Sequence, residues 1–296
     1  MNISLAYLGP TGTNSETAAV IYSDWLASTQ QLITSLSPYP SIALALQSVA
    51  QGQVYQAVVP IENSIEGSVT VVLDTMWQSS NLQVQQELTI PIFHGLLSYS
   101  QSLATITTVY SHPQALAQCQ KWLETYLPQV QLIPTRSTTE GIQLLKNNTT
   151  AAAIANPRAA ELYQVPILQP DIKDSPDNST RFWIVSNSDR PLSINQSDEA
   201  KPPLRDRGSH LSLAFSLPKN APGALVTALE IFAKRGINLS KIESRPTKRS
   251  LGEYIFFIDL EGNSQDSPIK EALTELSSCT EVLKIFGNYN LLPISI

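Results

Sequence analysis

Asn178-Ser179-Thr180-Arg181-Phe182-Trp183-Ile184-Val185 is a polar approach followed by an aromatic and β-branched run. That composition predicts a buried strand with a hydroxyl and a guanidinium at its mouth. Thr180 offers one O–H, and Arg181 presents a planar fork of donors that fits a carboxylate. The same residues also suit an edge-strand arginine paired with Asp174 or Asp177, in the polar turn just upstream. On this stretch alone both readings stay open.

The stretch lies within 296 residues that are 42% hydrophobic and 15% charged, a length and balance suited to two soluble domains. Lys plus Arg number 19 against 25 Asp plus Glu, a net charge of −6. No basic run breaks this balance, which argues against a nucleic-acid partner or an anionic membrane surface. Residues 2–8 are too polar and too alternating for a signal peptide, and no apolar run approaches spanning length. A cytoplasmic protein is expected. Cys119 and Cys279 have no partner at metal-ligand or CxxC spacing, so both are read as small buried apolar residues, with no metal site.

Upstream, residues 3–8 alternate as a strand and stop at Gly9-Pro10-Thr11-Gly12-Thr13, with a helix starting at Asn14 or Ser15. Such a turn is either an anion site, built from free N–H groups and the helix dipole, or an ordinary strand-to-helix connection. The P-loop lysine and GxGxxG are both missing. A second strand, 55–61, ends in the polar loop Glu62-Asn63-Ser64-Ile65-Glu66-Gly67-Ser68 before an apolar helix at 69–77. Ligands of open α/β sheets sit outside the carboxyl ends of strands, so the two loops are expected to face one cleft.

Residues 83–97 alternate across Pro91, as an edge strand or a hinge crossing. A strand at 106–110 leads into Ser111-His112-Pro113-Gln114, where Pro113 suits a first helical turn. His112 there is either a helix cap or a polar wall of the cleft. One helix is expected to carry Leu116 through Tyr126. Ser137-Thr138-Thr139-Glu140 reads as a capping box, and a small-residue strand at 151–155 precedes a helix opened by Asn156-Pro157. The prediction is an α/β domain over 1–186 with two lobes, approximately 1–80 with 166–186, and 81–165. Two lobes joined by two crossings make the hinged, cleft-binding architecture of periplasmic-binding proteins.

Residues 187–208, rich in Ser, Asn, Asp and Pro, read as a linker. Beyond it, 209–296 predicts the order βαββαβ, the split ferredoxin-like pattern.

Taken together, these stretches resemble prephenate dehydratase over nearly the whole chain. Gly9-Pro10-Thr11-Gly12-Thr13, Val59 through Ser64, Ser111 through Cys119 and Thr180-Arg181-Phe182 resemble its catalytic blocks. Pro222-Gly223-Ala224-Leu225 and Glu243-Ser244-Arg245-Pro246 resemble the two phenylalanine-binding signatures of a C-terminal ACT regulatory domain. Asn14 and Asn263 depart from the family, which usually has an aromatic residue at the first position and often a histidine at the second.

The resemblance implies decarboxylative dehydration of prephenate to phenylpyruvate, with no cofactor. It makes Thr180 the donor to the leaving hydroxyl, Arg181 the carboxylate anchor, and Glu62 the candidate proton source. Asn63, Ser64, Phe182, Thr11, Gly12, Thr13, Ser111, His112 and Gln114 would complete the cleft. Phenylalanine would bind at Gly223, Ala224, Leu225, Asn238, Leu239 and the 243–246 run, between subunits of a homodimer or homotetramer. Two rival readings are an arogenate dehydratase, whose substrate carries an amine, and a non-catalytic amino-acid sensor.

Overall fold

A computed structural model describes residues 2–146, 148–189 and 208–293. In chain order the elements are β1 Asn2–Leu8, α1 Asn14–Gln30, β2 Ile33–Tyr39, α2 Ile42–Ala50, β3 Gln56–Asn63, β4 Gly67–Ser68, α3 Thr70–Gln78, β5 Leu82–Pro91 and β6 Gly95–Leu97. Then come β7 Thr108–Ser111, α4 Pro113–Gln118, α5 Gln120–Tyr126, β8 Gln131–Pro134, α6 Thr138–Leu145, β9 Ala151–Ala155, α7 Pro157–Tyr163, β10 Ile167–Gln169 and β11 Ser179–Asn187. The C-terminal part holds β12 His210–Ser216, α8 Ala224–Ala233, β13 Leu239–Pro246, β14 Tyr254–Glu261, α9 Ser267–Cys279 and β15 Val282–Leu291.

Several expectations shift. Strand β3 runs two residues further than predicted, so Glu62 and Asn63 belong to a strand and not to the loop. The alternating stretch at 83–97 is two strands, β5 and β6. The single helix expected across 116–126 breaks at Cys119, whose backbone (φ −120°, ψ 13°) leaves the helical path. Strand β2 was not anticipated. Apart from 187–189 and 208, the expected linker lies outside the described residues. No helix among the described residues is long and apolar enough to cross a membrane.

By contact the chain falls into two compact units. The first comprises residues 1–45, 62–67 and 90–180. It contains the parallel pair β1–β2 and a five-stranded sheet ordered β10-β6-β9-β7-β8. Strand β9 is buried along its whole length. Its side chains alternate: Ala152 and Ile154 join a core with Leu116, Cys119 and Leu123, while Ala151, Ala153 and Ala155 face Ile142, Leu145 and Ala159. The period of two thus seats helices on both faces. Small side chains let those helices come close. Half of the predicted capping box is present: Ser137 Oγ accepts from Glu140 N at 3.1 Å, while the Glu140 carboxylate accepts Arg136 N at 2.6 Å, one residue before the cap.

The second unit comprises residues 46–61, 68–89 and 181–296. Its strands follow the order β13-β14-β12-β15-β5-β11-β3. Within it β12 to β15 and helices α8 and α9 form the predicted βαββαβ array, closed over Leu213, Phe215, Phe232, Ile258 and Leu276. Strand β15 continues past this array and pairs in parallel with β5 at Asn290↔Gln86 and Leu291↔Glu87. Gly287 permits the approach: at φ +127° a Cβ there would lie 2.8 Å from the Val84 carbonyl oxygen. This pairing gathers 209–296 with the middle strands into one unit.

Candidate functional site

The site assembles in the first unit at the carboxyl end of β3. Asn63 Oδ1 accepts two backbone N–H groups, those of Ile65 and Glu66, each at 3.0 Å. Only an oxygen can accept them, so the amide orientation follows from the bonding. Asn63 Nδ2 must then donate, and its acceptors are Asn178 Oδ1 at 2.8 Å, Ser179 O at 3.1 Å and Thr180 Oγ1 at 2.9 Å. Because Asn178 Oδ1 is an acceptor here, Asn178 Nδ2 donates to Gln118 Oε1 at 2.8 Å. Gln118 Nε2 in turn donates to the Glu66 carboxylate at 3.2 Å. His94 Nε2 lies 2.8 Å from the same Gln118 Oε1. Every amide in the chain has one allowed orientation.

Asn63, Gln118, Asn178 and Thr180 are all buried. With Asn63 donating into its oxygen, the Thr180 hydroxyl keeps its proton for another acceptor. A buried donor with a preset direction is the element that stabilises charge developing on a departing oxygen.

Arg181 is not part of this group. Residues i and i+1 of a strand point to opposite faces, and Arg181 turns away from the face of Thr180 and Phe182. Its Nε and Nη2 hold Glu87 Oε1 and Oε2 at 2.9 and 2.7 Å, and Nη2 also reaches Asp259 Oδ2 at 3.0 Å. Trp183, on the same face, donates Nε1–H to Glu87 Oε2 at 3.2 Å. Burial of the guanidinium opposes its charge, but the bonds and fields of Glu87 and Asp259 outweigh this and raise its pKa. The expected anchor for a substrate carboxylate is thus closed on two internal carboxylates. They are not the Asp174 or Asp177 weighed from the sequence; Asp174 instead accepts from the N–H groups of Lys121 and Trp122. Phe182, expected in the cleft, is a core side chain at 1% exposure.

Other expected site residues are also placed. Glu62 precedes Asn63 in β3, so alternation sends its side chain to the opposite face, and an acid that touches the network is Glu66. Ser64 clamps the loop to β11, accepting from Ser179 N at 3.0 Å and donating to Asp177 O at 3.2 Å. Ser111 donates to Ile154 O at 2.7 Å, which leaves it only acceptor capacity. His112 caps α4, with Nδ1 accepting from Gln114 N at 3.3 Å, and the Gln114 side chain is exposed.

At the first turn the anion position is filled from within. The buried Glu16 carboxylate accepts Gly12 N–H at 2.6 Å and pairs with Arg158 Nε at 3.1 Å. Thr13 caps α1, and Thr11 Oγ1 lies 3.4 Å from the Tyr7 hydroxyl. Gly12 has φ +88°, and a Cβ there would meet Thr139 at 2.9 Å. Asn14, the departure from the family pattern, accepts from Asn156 Nδ2 at 2.9 Å.

In the second unit Gly223, Ala224 and Leu225 line a cleft of about 550 Å³ together with Arg249, Tyr254 and Glu281. The remaining expected effector residues are not brought to that cleft. Asn238 donates to Glu261 at 2.8 Å, Glu243 accepts from Ser68 at 3.0 Å, and Arg245 grips Asp74 at 3.2 and 3.1 Å. Leu239 packs against the core. Ser244 and Pro246 pair along β14.

The sequence reading assigned no role to Gln118, Asn178, Glu66 or His94. A signal exists for two of them. His94 falls in step with Ile90, Ile92 and Leu96 on an alternating apolar face, and Gln118 sits beside Cys119 on the buried side of its helix. A polar group in an apolar pattern calls for a partner.

A family model for prephenate dehydratase matches residues 5–190, and one for the ACT domain matches 212–278. A prephenate dehydratase of Lactococcus lactis subsp. cremoris (strain MG1363) is 37% identical, over 98% of this chain and 98% of the relative. A bifunctional chorismate mutase/prephenate dehydratase of Aquifex aeolicus (strain VF5) is 39% identical, over 97% of this chain and 73% of the relative. The crystal structure of prephenate dehydratase from Arthrobacter aurescens in complex with L-Phe superposes with a TM-score of 0.82. It is 34% identical and covers 97% of this chain and 90% of its own.

Proposed function

Because the chain belongs to the prephenate dehydratase family and carries an ACT domain, we propose that it converts prephenate to phenylpyruvate, water and CO2 with Thr180 as the donor to the departing hydroxyl. Prephenate holds a ring carboxylate and a ring hydroxyl on opposite carbons. Losing both aromatises the ring: the electrons of the broken bond to the carboxylate re-form the π-system as CO2 departs, and the hydroxyl leaves as hydroxide, which a solvent proton converts to water. The single observation behind the role of Thr180 is the Asn63 Nδ2–Thr180 Oγ1 bond of 2.9 Å, which leaves the hydroxyl proton for the substrate. A threonine is too weak an acid to give up that proton cheaply. It acts as a hydrogen bond that strengthens as negative charge builds on the leaving oxygen, and donation from Asn63 polarises it further.

We extend the proposal to regulation. Phenylalanine is the effector, and Gly223, Ala224 and Leu225 form the start of α8, which no side chain caps and whose dipole suits a carboxylate. A cytoplasmic homo-oligomer, and two lobes over 1–186, complete the reading.

The test is direct. The purified chain, without added cofactor, is given prephenate and phenylpyruvate absorbance is followed; arogenate, whose product is phenylalanine, runs in parallel with CO2 release as the readout, and phenylalanine is titrated into both. Phenylpyruvate from prephenate is expected, and lower rates with phenylalanine. No product from either substrate would leave a binding protein only, and turnover of arogenate alone would move the substrate assignment.

A further inference from the structure

His94 lies where β5 gives way to β6 and is 4% exposed. The orientation of its ring nitrogens follows from its neighbours. Gln118 Oε1 accepts from Asn178 Nδ2 and can give no proton, so His94 Nε2 must carry one and donate it at 2.8 Å. A neutral ring then has a bare Nδ1. That nitrogen is buried and has no hydrogen-bond partner among the described residues. Burial pushes the His94 pKa below its ordinary value, against a smaller opposing effect of the Gln118 bond, so the ring is neutral near pH 7.

An apolar side chain would fill this position without leaving a lone pair unsatisfied in the interior. What His94 supplies that an apolar residue cannot is the Nε2–H on Gln118. Among the described residues two donors point at Gln118 Oε1, Asn178 and His94. Asn178 and the Glu66 carboxylate set the orientation of the Gln118 amide, and His94 adds a second donor that clamps its Oε1 in place. Asn178 is then held, Asn178 holds Asn63, and Asn63 sets the direction of the Thr180 hydroxyl.

We infer that His94 is a positioning residue for the reaction, fixing the Gln118 amide through Nε2–H and thereby orienting the Thr180 donor through Asn178 and Asn63. The inference rests on the dehydratase reading above. His94 touches neither the substrate nor Thr180.

The experiment compares kcat, KM and Tm of the wild type, His94→Leu, His94→Gln, Gln118→Leu and the double variant His94→Leu/Gln118→Leu. His94→Leu is expected to lower kcat roughly 10- to 30-fold, the scale of one mis-set transition-state hydrogen bond, with KM within about two-fold. His94→Gln, whose amide N–H sits near the Nε2 position, is expected to restore kcat to within about three-fold of wild type. The double variant should be no slower than Gln118→Leu, because two residues acting through one path are not additive. A normal kcat in His94→Leu, equal losses in the Leu and Gln variants, or additive losses in the double variant would each overturn the inference.

Should a variant fail to fold, nitrogen NMR of the wild-type imidazoles decides instead. The Nε2–H tautomer with a bare Nδ1 is required, and an Nδ1–H tautomer sinks the idea. A wild type inactive on prephenate refutes the function while the tautomer still tests the geometry.

Discussion

Asn63 donates to Thr180 across 2.9 Å, and two backbone N–H groups on the far side of the same amide forbid the reverse. A near-isosteric change can invert that direction. In Asn63→Asp the carboxylate still accepts from Ile65 and Glu66 N–H, but it now attracts the Thr180 proton and no longer leaves it for substrate. We predict a kcat about 100-fold lower, the loss typical of one removed oxyanion donor, together with a lower Tm, because the buried carboxylate then faces Asn178 Oδ1 and Ser179 O, which lose their donor. Steady-state kinetics and a thermal melt check it, and an unchanged kcat removes the hydroxyl direction from the mechanism.

Arg181 holds Glu87 and Asp259, whose side chains are 4% and 5% exposed. Removing the guanidinium strands two buried carboxylates. Arg181→Met is expected to destabilise by about 3–5 kcal/mol, as when one partner of a buried pair is deleted. Arg181→Lys keeps a charge but loses the fork, so its Tm falls less, and its KM stays within about two-fold. Urea melts and KM measured on the same samples separate the roles. A large rise in KM at unchanged stability would restore Arg181 as a substrate anchor.

Asp74 on α3 is gripped by Arg245 and Lys248. Burial alone would raise its pKa, but the Arg245 and Lys248 bonds outweigh burial and hold it below the ordinary 3.8. A depressed carboxyl adds stability that is present above 3.8 and is lost as pH falls through the folded value. Asp74→Asn should therefore be less stable than wild type near pH 7, by about 1 kcal/mol once solvent screening is allowed for. The gap closes as pH drops below 3.8 and narrows with added salt. Parallel melts of the two proteins across pH measure it; a gap that persists in acid would contradict the ion pair.

His94 gives a second pH signature. Its pKa is lowered mainly by burial, with Gln118 and Asp171 opposing and Lys173 assisting. The unfolded chain takes up this proton first, near the ordinary 6.5, so stability falls as pH drops from there toward the folded value. His94→Gln lacks the titrating group. Its Tm should decline less than that of wild type between pH 7 and pH 5, and parallel declines would show that the ring titrates normally.

Local pattern determined much of this protein. Aromatic and β-branched content marked β11, a run of small residues marked β9, Ser137 and Asn156 marked two helix starts, and the βαββαβ order of 209–296 was legible because each step depends only on near neighbours. The period of two also separates the two polar residues at the mouth of β11. Thr180 and Arg181 are adjacent in a strand, so they cannot share a face. What no local rule supplied was the partner. Glu87 lies 94 residues from Arg181, Asn178 lies 115 from Asn63, and Gln118 lies 24 from His94. A periodic pattern says which face a side chain takes; only the tertiary fold says which distant strand, with which donor or acceptor, comes to stand opposite it. Hydrogen bonds need that partner within about 3 Å, and so the polar site was decided by the fold while the strands that carry it were decided by the sequence.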